Sequence, residues 1–253
     1  MSDQNAKSAS ITAALLLAIG VAIAGYFISQ TLYNSKVALN TAEVKGLAER
    51  TVEADRAYWS IQYTVSGRRK SDIPALYKKS ELDQMQVIAL LLDSGFSKHE
   101  VSRGVIDYYK QEFRNENQKL VEEKHVLVGE IEVQTSQVKL VSQVRSRLNR
   151  LIAEGLDLKN NPPAYHFTKL NDIKPDMLKE ATTNARLAAN EFATNARLAA
   201  NEFATNAGVK VGGIRTARQG GFIIRDVGES YGDTKKIEKD VRVVTNVTFF
   251  LTE

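Results

Sequence analysis

The chain has 253 residues, of which 43% are hydrophobic and 25% charged, and its formal net charge is +4. This composition is typical of a globular protein and argues against intrinsic disorder. The absence of cysteine excludes disulfides, thiolate metal sites and cysteine nucleophiles. The sequence has no basic helix with interleaved aromatic residues, so we expect no nucleic-acid partner and interpret the mild charge as a solvated surface.

The N-terminal segment contains an uncharged apolar run from Ile11 to Tyr33. As a helix this run would be about 34 Å long, close to the hydrocarbon thickness of a bilayer. We therefore predict a short N-terminus over residues 1–10 and a transmembrane anchor over 11–33, with membrane lipid as its partner. The residues expected to face lipid are Ile11, Leu15, Leu16, Leu17, Ile19, Val21, Ile23, Tyr26, Phe27 and Ile28.

The sequence also allows other interpretations of this run, as a cleaved signal peptide or as a buried core helix. Ala22-Ile23-Ala24 fits the small-x-small pattern of a signal-peptide cleavage site, although the apolar run continues beyond it. A buried core helix is the other alternative, but a core helix of this length normally shows a polar face. Small residues at four-residue spacing are candidates for helix–helix contact in lipid: Ala14, Ala18 and Ala22 form one row, and Gly20 and Ala24 form another. Alanine is also simply common in such helices.

The charge pattern around the anchor indicates its orientation. Lys7 precedes the apolar run, and the sequence contains no second long apolar run. Positive charge favours the cytoplasmic side of a membrane. We therefore expect a single-pass protein whose C-terminal part is extracytoplasmic, or periplasmic in a cell with two membranes.

The first half of the soluble part, over about 42–114, predicts a β-α-β arrangement after a polar linker at 34–41. Residues 57–66 alternate strictly between apolar and polar side chains, as in a half-buried strand. A helix follows, capped by Ser71 or Asp72 and closed by Gly95. Residues 101–113 predict a second strand. The predicted apolar stripe of the helix consists of Leu82, Met85, Ile88, Ala89 and Leu92.

The second half, over about 115–253, continues the alternation of strands and helices. Its predicted elements are a strand at 126–135, a helix at 138–155, a short strand at 165–170, a long helix from Pro175 to Gly208, a strand at 209–218, a turn at 219–221, a short strand at 222–226 and a final strand with Val241, Val243, Thr245, Val247, Phe249 and Leu251 on one face. The expected class is α+β with a mainly antiparallel sheet.

The long helix contains an eleven-residue repeat, because TNARLAANEFA occupies 183–193 and again 194–204. Eleven residues turn through about 1,100°, within about 20° of three full turns, so the duplication keeps the apolar face in phase. The sequence does not separate a natural duplication from an engineered extension. The predicted stripe contains Ala181, Ala185, Ala188, Phe192, Ala196, Ala199, Phe203 and Ala207. Possible oligomer contacts are Leu187, Phe192, Leu198 and Phe203.

These patterns resemble the SIMPL domain family over about residues 42–253. The resemblance is carried by VKGLAE at 44–49 with Asp55, by DSGFS at 93–97, by the alanine-rich segment 181–214 and by the last strand. It implies an α+β fold, assembly into rings in at least some members, and an association with cell-envelope stress. It implies no established catalytic residues, and the eleven-residue repeat departs from the expected family pattern.

The sequence contains no recognisable catalytic or cofactor motif. His99, His125 and His166 lack companions at metal-ligand spacing, and His125 is expected in a charged turn. Gly212-Gly213 and Gly220-Gly221 open no helix, so hairpins are the better interpretation than phosphate loops. We therefore expect no metal, no cofactor and no enzyme activity, although a dispersed catalytic pair would escape this search. A self-assembling envelope protein and a monomeric extracytoplasmic binding module remain as functional hypotheses.

Overall fold

The computed structural model describes residues 2–37, 41–203 and 210–252, with side chains at 15–32, 41–195 and 210–251. Its elements in chain order are α1 (Ser2–Val37), β1 (Thr41–Glu53), β2 (Arg56–Gly67), α2 (Ile73–Asp93), β3 (Val101–Arg114), β4 (Leu120–Thr135), α3 (Val138–Ala153), β5 (Asp157–Asn160), β6 (Ala164–His166), α4 (Leu170–Phe203), β7 (Lys210–Asp226) and β8 (Glu238–Thr252). The protein is therefore α+β, as the sequence predicts.

The chain divides into two compact units that are each assembled from separate segments. Unit 1 consists of Met1–Ala48, Asp176–Gly221 and Val243–Glu253, and unit 2 consists of Glu49–Pro175 and Phe222–Arg242. One sheet has the strand order β1-β8-β7. The other has the order β3-β4-β2-β5 with β6 also paired to β2, and its pairings are antiparallel.

Helix α1 is long and apolar enough to cross a membrane. The window Leu15–Leu32 has a mean hydropathy of 1.9, and none of it is buried. Every predicted lipid-facing side chain from Leu15 to Ile28 is exposed, as are Ala18, Gly20, Ala22 and Ala24. Ile11 and Ala14 belong to the helix, but their side chains lie outside the described residues. The helix also includes Asn34–Val37, which the sequence assigned to the linker.

The core of unit 2 confirms the alternating pattern of β2. Trp59 and Ile61 are buried, and they lie opposite Val133 and Ile131 of β4. The apolar side of α3 packs against the same core, through residues that include Val141. Helix α3 ends before Gly155 and α2 before Gly95, and both glycines adopt the positive φ of a helix C-terminus, as expected.

Helix α2 packs differently from its predicted orientation. Leu82 and Met85 of the predicted apolar stripe are about half exposed, at 50% and 48%. The buried side instead consists of Ser80, Asp83, Gln84, Val87 and Leu91. The helix is therefore rotated by about one residue, or 100°, relative to the apolar stripe. Val87 and Leu91 belong to the core cluster, which fixes this orientation.

Strand β7 is continuous where the sequence predicts a turn. It runs from Lys210 to Asp226 through the expected turn at 219–221. A Cβ atom added at Gly220 would lie 2.5 Å from the carbonyl oxygen of Val244 in β8. Glycine therefore permits a close backbone approach here, which is the other common role of glycine in a strand.

The region before α4 also differs from its prediction. Strand β6 ends at His166, whereas a strand to Leu170 was expected, and α4 begins at Leu170 with Pro175 inside it. The carboxylate of Asp55 accepts hydrogen bonds from the backbone N–H of Thr168 at 2.6 Å and from its hydroxyl at 2.7 Å. These contacts hold residues 167–169 as a connection between strand and helix.

In unit 1, helix α4 packs on its sheet through alanines. Its buried side chains are Met177, Ala181, Ala185, Ala189 and Ala193. A Cβ atom added at Gly46 of β1 would lie 1.8 Å from the carbonyl oxygen of Ala181, so helix and strand approach too closely for larger residues. Phe192, predicted on the apolar stripe, is 61% exposed, because the buried row of the helix passes through Ala189 and Ala193 at this level. The predicted face of the final strand is buried at Val241, Val243, Thr245, Val247 and Phe249, and Leu251 at its end is partly buried.

Candidate functional site

Unit 2 contains a cleft of about 910 Å³. One wall is α3, the second is the loop between β5 and β6 with β6 itself, and the third is the segment that precedes β8. Its lining residues are Glu53, Lys139, Ser142, Arg145, Pro162, Pro163, Ala164, Tyr165, Thr234, Lys235, Lys236, Ile237 and Glu238. We call this feature the cleft.

Backbone hydrogen bonds hold two of the walls together. The N–H of Tyr165 donates to the carbonyl oxygen of Thr234 at 2.8 Å, and the N–H of Ala54 donates to that of Ile237 at 2.7 Å. The indole N–H of buried Trp59 donates to the carbonyl oxygen of Asn161 at 3.1 Å. Pro162 and Pro163 follow, with φ fixed by their rings. The cleft is therefore preformed in this fold.

The cleft carries four basic and two acidic side chains, a net charge of +2. Lys139 contacts Glu53 at 2.8 Å, with side chains that are 67% and 56% exposed. The ammonium group of Lys236 donates to the carbonyl oxygen of Val227 at 2.8 Å and lies 3.2 Å from the carboxylate of Glu229. Exposed pairs of this kind contribute about 0–1 kcal/mol each, so a ligand can displace them.

Three residues with hydroxyl groups, Ser142, Tyr165 and Thr234, also line the cleft. The Ser142 hydroxyl lies 3.1 Å from that of Tyr165, which is largely buried. Neither is paired with a general base among the contacts of the described residues, so the arrangement is suited to hydrogen bonding. The side chains that line the cleft are therefore suited to binding negatively charged and polar groups.

A buried ion pair supports the segment that forms the third wall. The ammonium group of Lys239 donates to the Asp226 carboxylate, and to the carbonyl oxygen of Asp233 at 2.6 Å. The N–H of Lys235 donates to the same carboxylate at 2.8 Å. Both partners of the pair are buried. Burial alone would raise the pKa of Asp226, but the hydrogen bonds from Lys239 and from the backbone outweigh it and lower the pKa below its usual range.

His125 lies in a strand, and the expectation of a charged turn is wrong. It is 2% exposed in β4, and its Nδ1 lies 2.8 Å from the hydroxyl of Tyr108 in β3. Its Nε2 is 3.1 Å from the Glu123 carboxylate but lacks the alignment of a hydrogen bond. The structure shows no group of three or more potential metal ligands among the described residues.

The sequence-predicted oligomer contacts lie on α4 in unit 1. Leu187 is 55% exposed and borders a groove of about 480 Å³ with Ile214 and Phe249. Phe192 is exposed outside this groove, and the side chains of Leu198 and Phe203 lie outside the described residues. The sequence reasoning missed the cleft, because its charged residues come from three segments that are distant in the sequence, at Glu53, on α3 and before β8.

Comparison with protein families gives one match. The model described as SIMPL, a protein of unknown function (DUF541), matches residues 42–249. The comparison with curated proteins found no match. The matched region begins after α1 and includes strands of both sheets, so the family match covers most of the chain that follows α1.

Proposed function

Because the chain belongs to the SIMPL family, we propose that it is a membrane-anchored extracytoplasmic protein that acts by self-assembly and not by catalysis. The family describes a domain of unknown function, so the proposal depends on the chain's own surfaces. The observation that carries it is the exposed apolar window Leu15–Leu32 of α1 together with exposed apolar residues on α4. The apolar surface of α1 is unfavourable in water unless lipid or protein covers it, and Leu187 and Phe192 of α4 are further exposed apolar residues that a partner can contact.

The first part of the proposal is a retained anchor with a cytoplasmic N-terminus. An N-terminal apolar helix is compatible with an anchor and with a signal sequence. We expect the intact chain in the membrane fraction, because the apolar run continues beyond the small residues at 22–24. Intact mass and fractionation test this, and a soluble form beginning at Gly25 would contradict it. A C-terminal alkaline phosphatase fusion, active only outside the cytoplasm, tests the orientation.

The second part is self-association into a ring through the α4 surface. We expect Leu187→Glu/Phe192→Glu to lower the mass of the full chain in mild detergent, measured by light scattering. The matched variant is Leu82→Glu/Met85→Glu, which changes two similarly exposed apolar residues of α2. If only the α2 variant dissociates, the assembly surface is assigned to the wrong helix. A monomeric wild type at micromolar concentration would contradict assembly itself, and electron microscopy tests the ring.

The duplicated segment provides a second test of assembly. Deleting Thr194–Ala204 removes one copy of the repeat and leaves the helix in phase within about 20°. We expect the shortened chain to fold with nearly unaltered stability but to change its oligomer geometry. Loss of the folded state on deletion would mean that both copies contribute to the core.

A monomeric binding module is the second candidate, and the cleft favours it. A preformed concavity with convergent polar groups is the usual form of a ligand site. Under this alternative the chain would remain monomeric in detergent and still bind a ligand. The proposed connection to envelope or oxidative stress comes from the family resemblance alone, and peroxide sensitivity of a deletion strain tests it.

A further inference from the structure

The cleft combines three features that together indicate the chemistry of a ligand. Its volume of about 910 Å³ is far larger than a single ion needs and falls in the range of sites for small molecules or short peptide segments. A backbone hydrogen bond joins two of its walls, and side-chain hydrogen bonds between Arg145 and Asn160 connect α3 to the residues before the proline loop, so little ordering is required on binding. Its net charge of +2 reflects four basic residues, which come from two separate segments, and two acidic residues.

The basic residues are divided between α3 and the segment before β8. Lys139 and Arg145 belong to α3, and Lys235 and Lys236 belong to the other segment. A ligand with a single negative charge would meet only one of these walls, whereas a ligand with several charges would meet both. The Arg145 guanidinium donates from Nε and Nη2 to Asn160 at 3.4 and 3.5 Å, and its remaining N–H groups are donors of the kind that suits carboxylates.

The cleft already contains carboxylates that show how such a ligand would be bound. Glu53 contacts Lys139 at 2.8 Å, and Glu238 lies in the same lining. The Lys139–Glu53 pair is largely exposed, so a ligand carboxylate can exchange with that of Glu53 at little free-energy cost. The hydroxyl groups of Ser142 and Tyr165 supply further hydrogen bonds for carboxylate oxygens.

We propose that the cleft is a binding site for polycarboxylate ligands, with an acidic peptide segment or a free polycarboxylate as the two sources of that chemistry. Lys139 and Arg145 bind one part of the ligand, and Lys235 and Lys236 bind another. This site lies within unit 2 and does not depend on self-assembly, so its failure would leave the proposed assembly untouched.

The test measures binding of a fluorescently labelled hexaglutamate peptide to the full chain in detergent. Fluorescence anisotropy is recorded at an ionic strength of about 0.01 M, where the screening length is about 30 Å. Labelled hexaglutamine is the uncharged control, and unlabelled citrate is the competitor. Competition by citrate assigns the site to free polycarboxylates, and binding of the peptide without competition assigns it to a peptide; either outcome supports the proposal.

The decisive comparison uses two double variants with the same change of charge. Lys139→Gln/Lys235→Gln removes one charge from each wall, and Lys98→Gln/Lys119→Gln removes two exposed charges elsewhere in unit 2. We expect the cleft variant to raise the Kd about tenfold or more, because each lost contact accounts for about fivefold, and the control to change it less than about twofold. Equal weakening in both variants, equal binding of hexaglutamine, or no saturable binding by the wild type would overturn the proposal.

Discussion

The buried pair of Lys239 and Asp226 gives a sharp prediction for stability. Lys239→Met removes the ammonium group but keeps a long apolar side chain, and it leaves the Asp226 carboxylate buried with the backbone N–H donor of Lys235. Breaking a buried pair by removing one partner costs about 3–5 kcal/mol. For a domain of this size that loss lowers Tm by about 6–20 °C.

The assay uses the single tryptophan of the chain. Trp59 is buried in the core of unit 2, so its emission reports unfolding of the unit that contains the ion pair. Urea titrations of the full chain in detergent then compare midpoints. The matched control is Arg68→Met, which breaks an exposed pair with Glu122 and should cost less than about 1 kcal/mol.

A double variant distinguishes the effect of removing both charges from the effect of leaving one charge buried without its partner. Asp226→Asn/Lys239→Met removes both charges, while the side-chain oxygen of the introduced asparagine still accepts a hydrogen bond from the N–H of Lys235. We expect this variant to recover much of the stability lost in Lys239→Met, because no uncompensated charge remains buried. If Lys239→Met is no more destabilising than Arg68→Met, the reasoning from burial is wrong.

Three further predictions concern packing, pH and domain boundaries. Gly129→Ala should lower the free energy of unfolding by about 1–3 kcal/mol or more, because the added Cβ would lie 2.1 Å from the ring of buried Tyr63. As the control, the Cβ added in Gly213→Ala meets no atom within 4 Å, so this variant should leave the urea midpoint nearly unchanged. The fold lowers the pKa of Asp226, so the stabilising contribution of this carboxylate is present above its unfolded pKa of about 3.9 and is lost as pH falls through the lower folded pKa. We therefore expect the urea midpoint of the wild type to fall in acid. In Asp226→Asn the midpoint should fall less steeply over the same pH range. The fragment 115–253 lacks both partners of β4, so it should show no sharp thermal transition by circular dichroism.

The parts of the fold that the sequence predicted share a simple physical cause. Strands β2 and β8 and helix α3 each bury one continuous side, so their apolar residues recur with the period of the element. The apolar run of α1 can be recognised without any knowledge of tertiary contacts. Such elements are visible in a single sequence because burial alone determines their pattern.

The errors arise where a tertiary contact determines which residue faces the core. Helix α2 buries Ser80, Asp83 and Gln84, and no hydrophobic pattern predicts that orientation. Helix α4 buries small alanines, two of which lie against Gly46 where a larger side chain would not fit, and its buried row passes through Ala189 and Ala193, so Phe192 is left exposed. A hydrophobicity scale ranks phenylalanine above alanine and therefore predicts that Phe192 is buried before the alanines are.

Charged strands were a further source of error. Strand β4 begins at Leu120, six positions before the predicted start, because β3 and β4 continue as a paired ribbon. Cross-strand contacts such as Lys110 with Glu123, at 3.3 Å, accompany this pairing. The local sequence is polar enough to predict a turn, and the pairing that makes it a strand is visible only in three dimensions.

The same buried pair connects the stability of unit 2 with the cleft. A buried ion pair is often no more stable than well-packed apolar residues, so its stability alone gives little reason for its presence. Here Asp226 also accepts the backbone N–H of Lys235, and Lys239 also donates to Asp233, so the pair fixes the course of the segment that carries Lys235 and Lys236 into the cleft. We therefore expect Asp226→Asn/Lys239→Met to bind hexaglutamate more weakly than the wild type even where its urea midpoint is largely restored. Unchanged binding in that variant would show that the pair stabilises the fold without positioning the cleft.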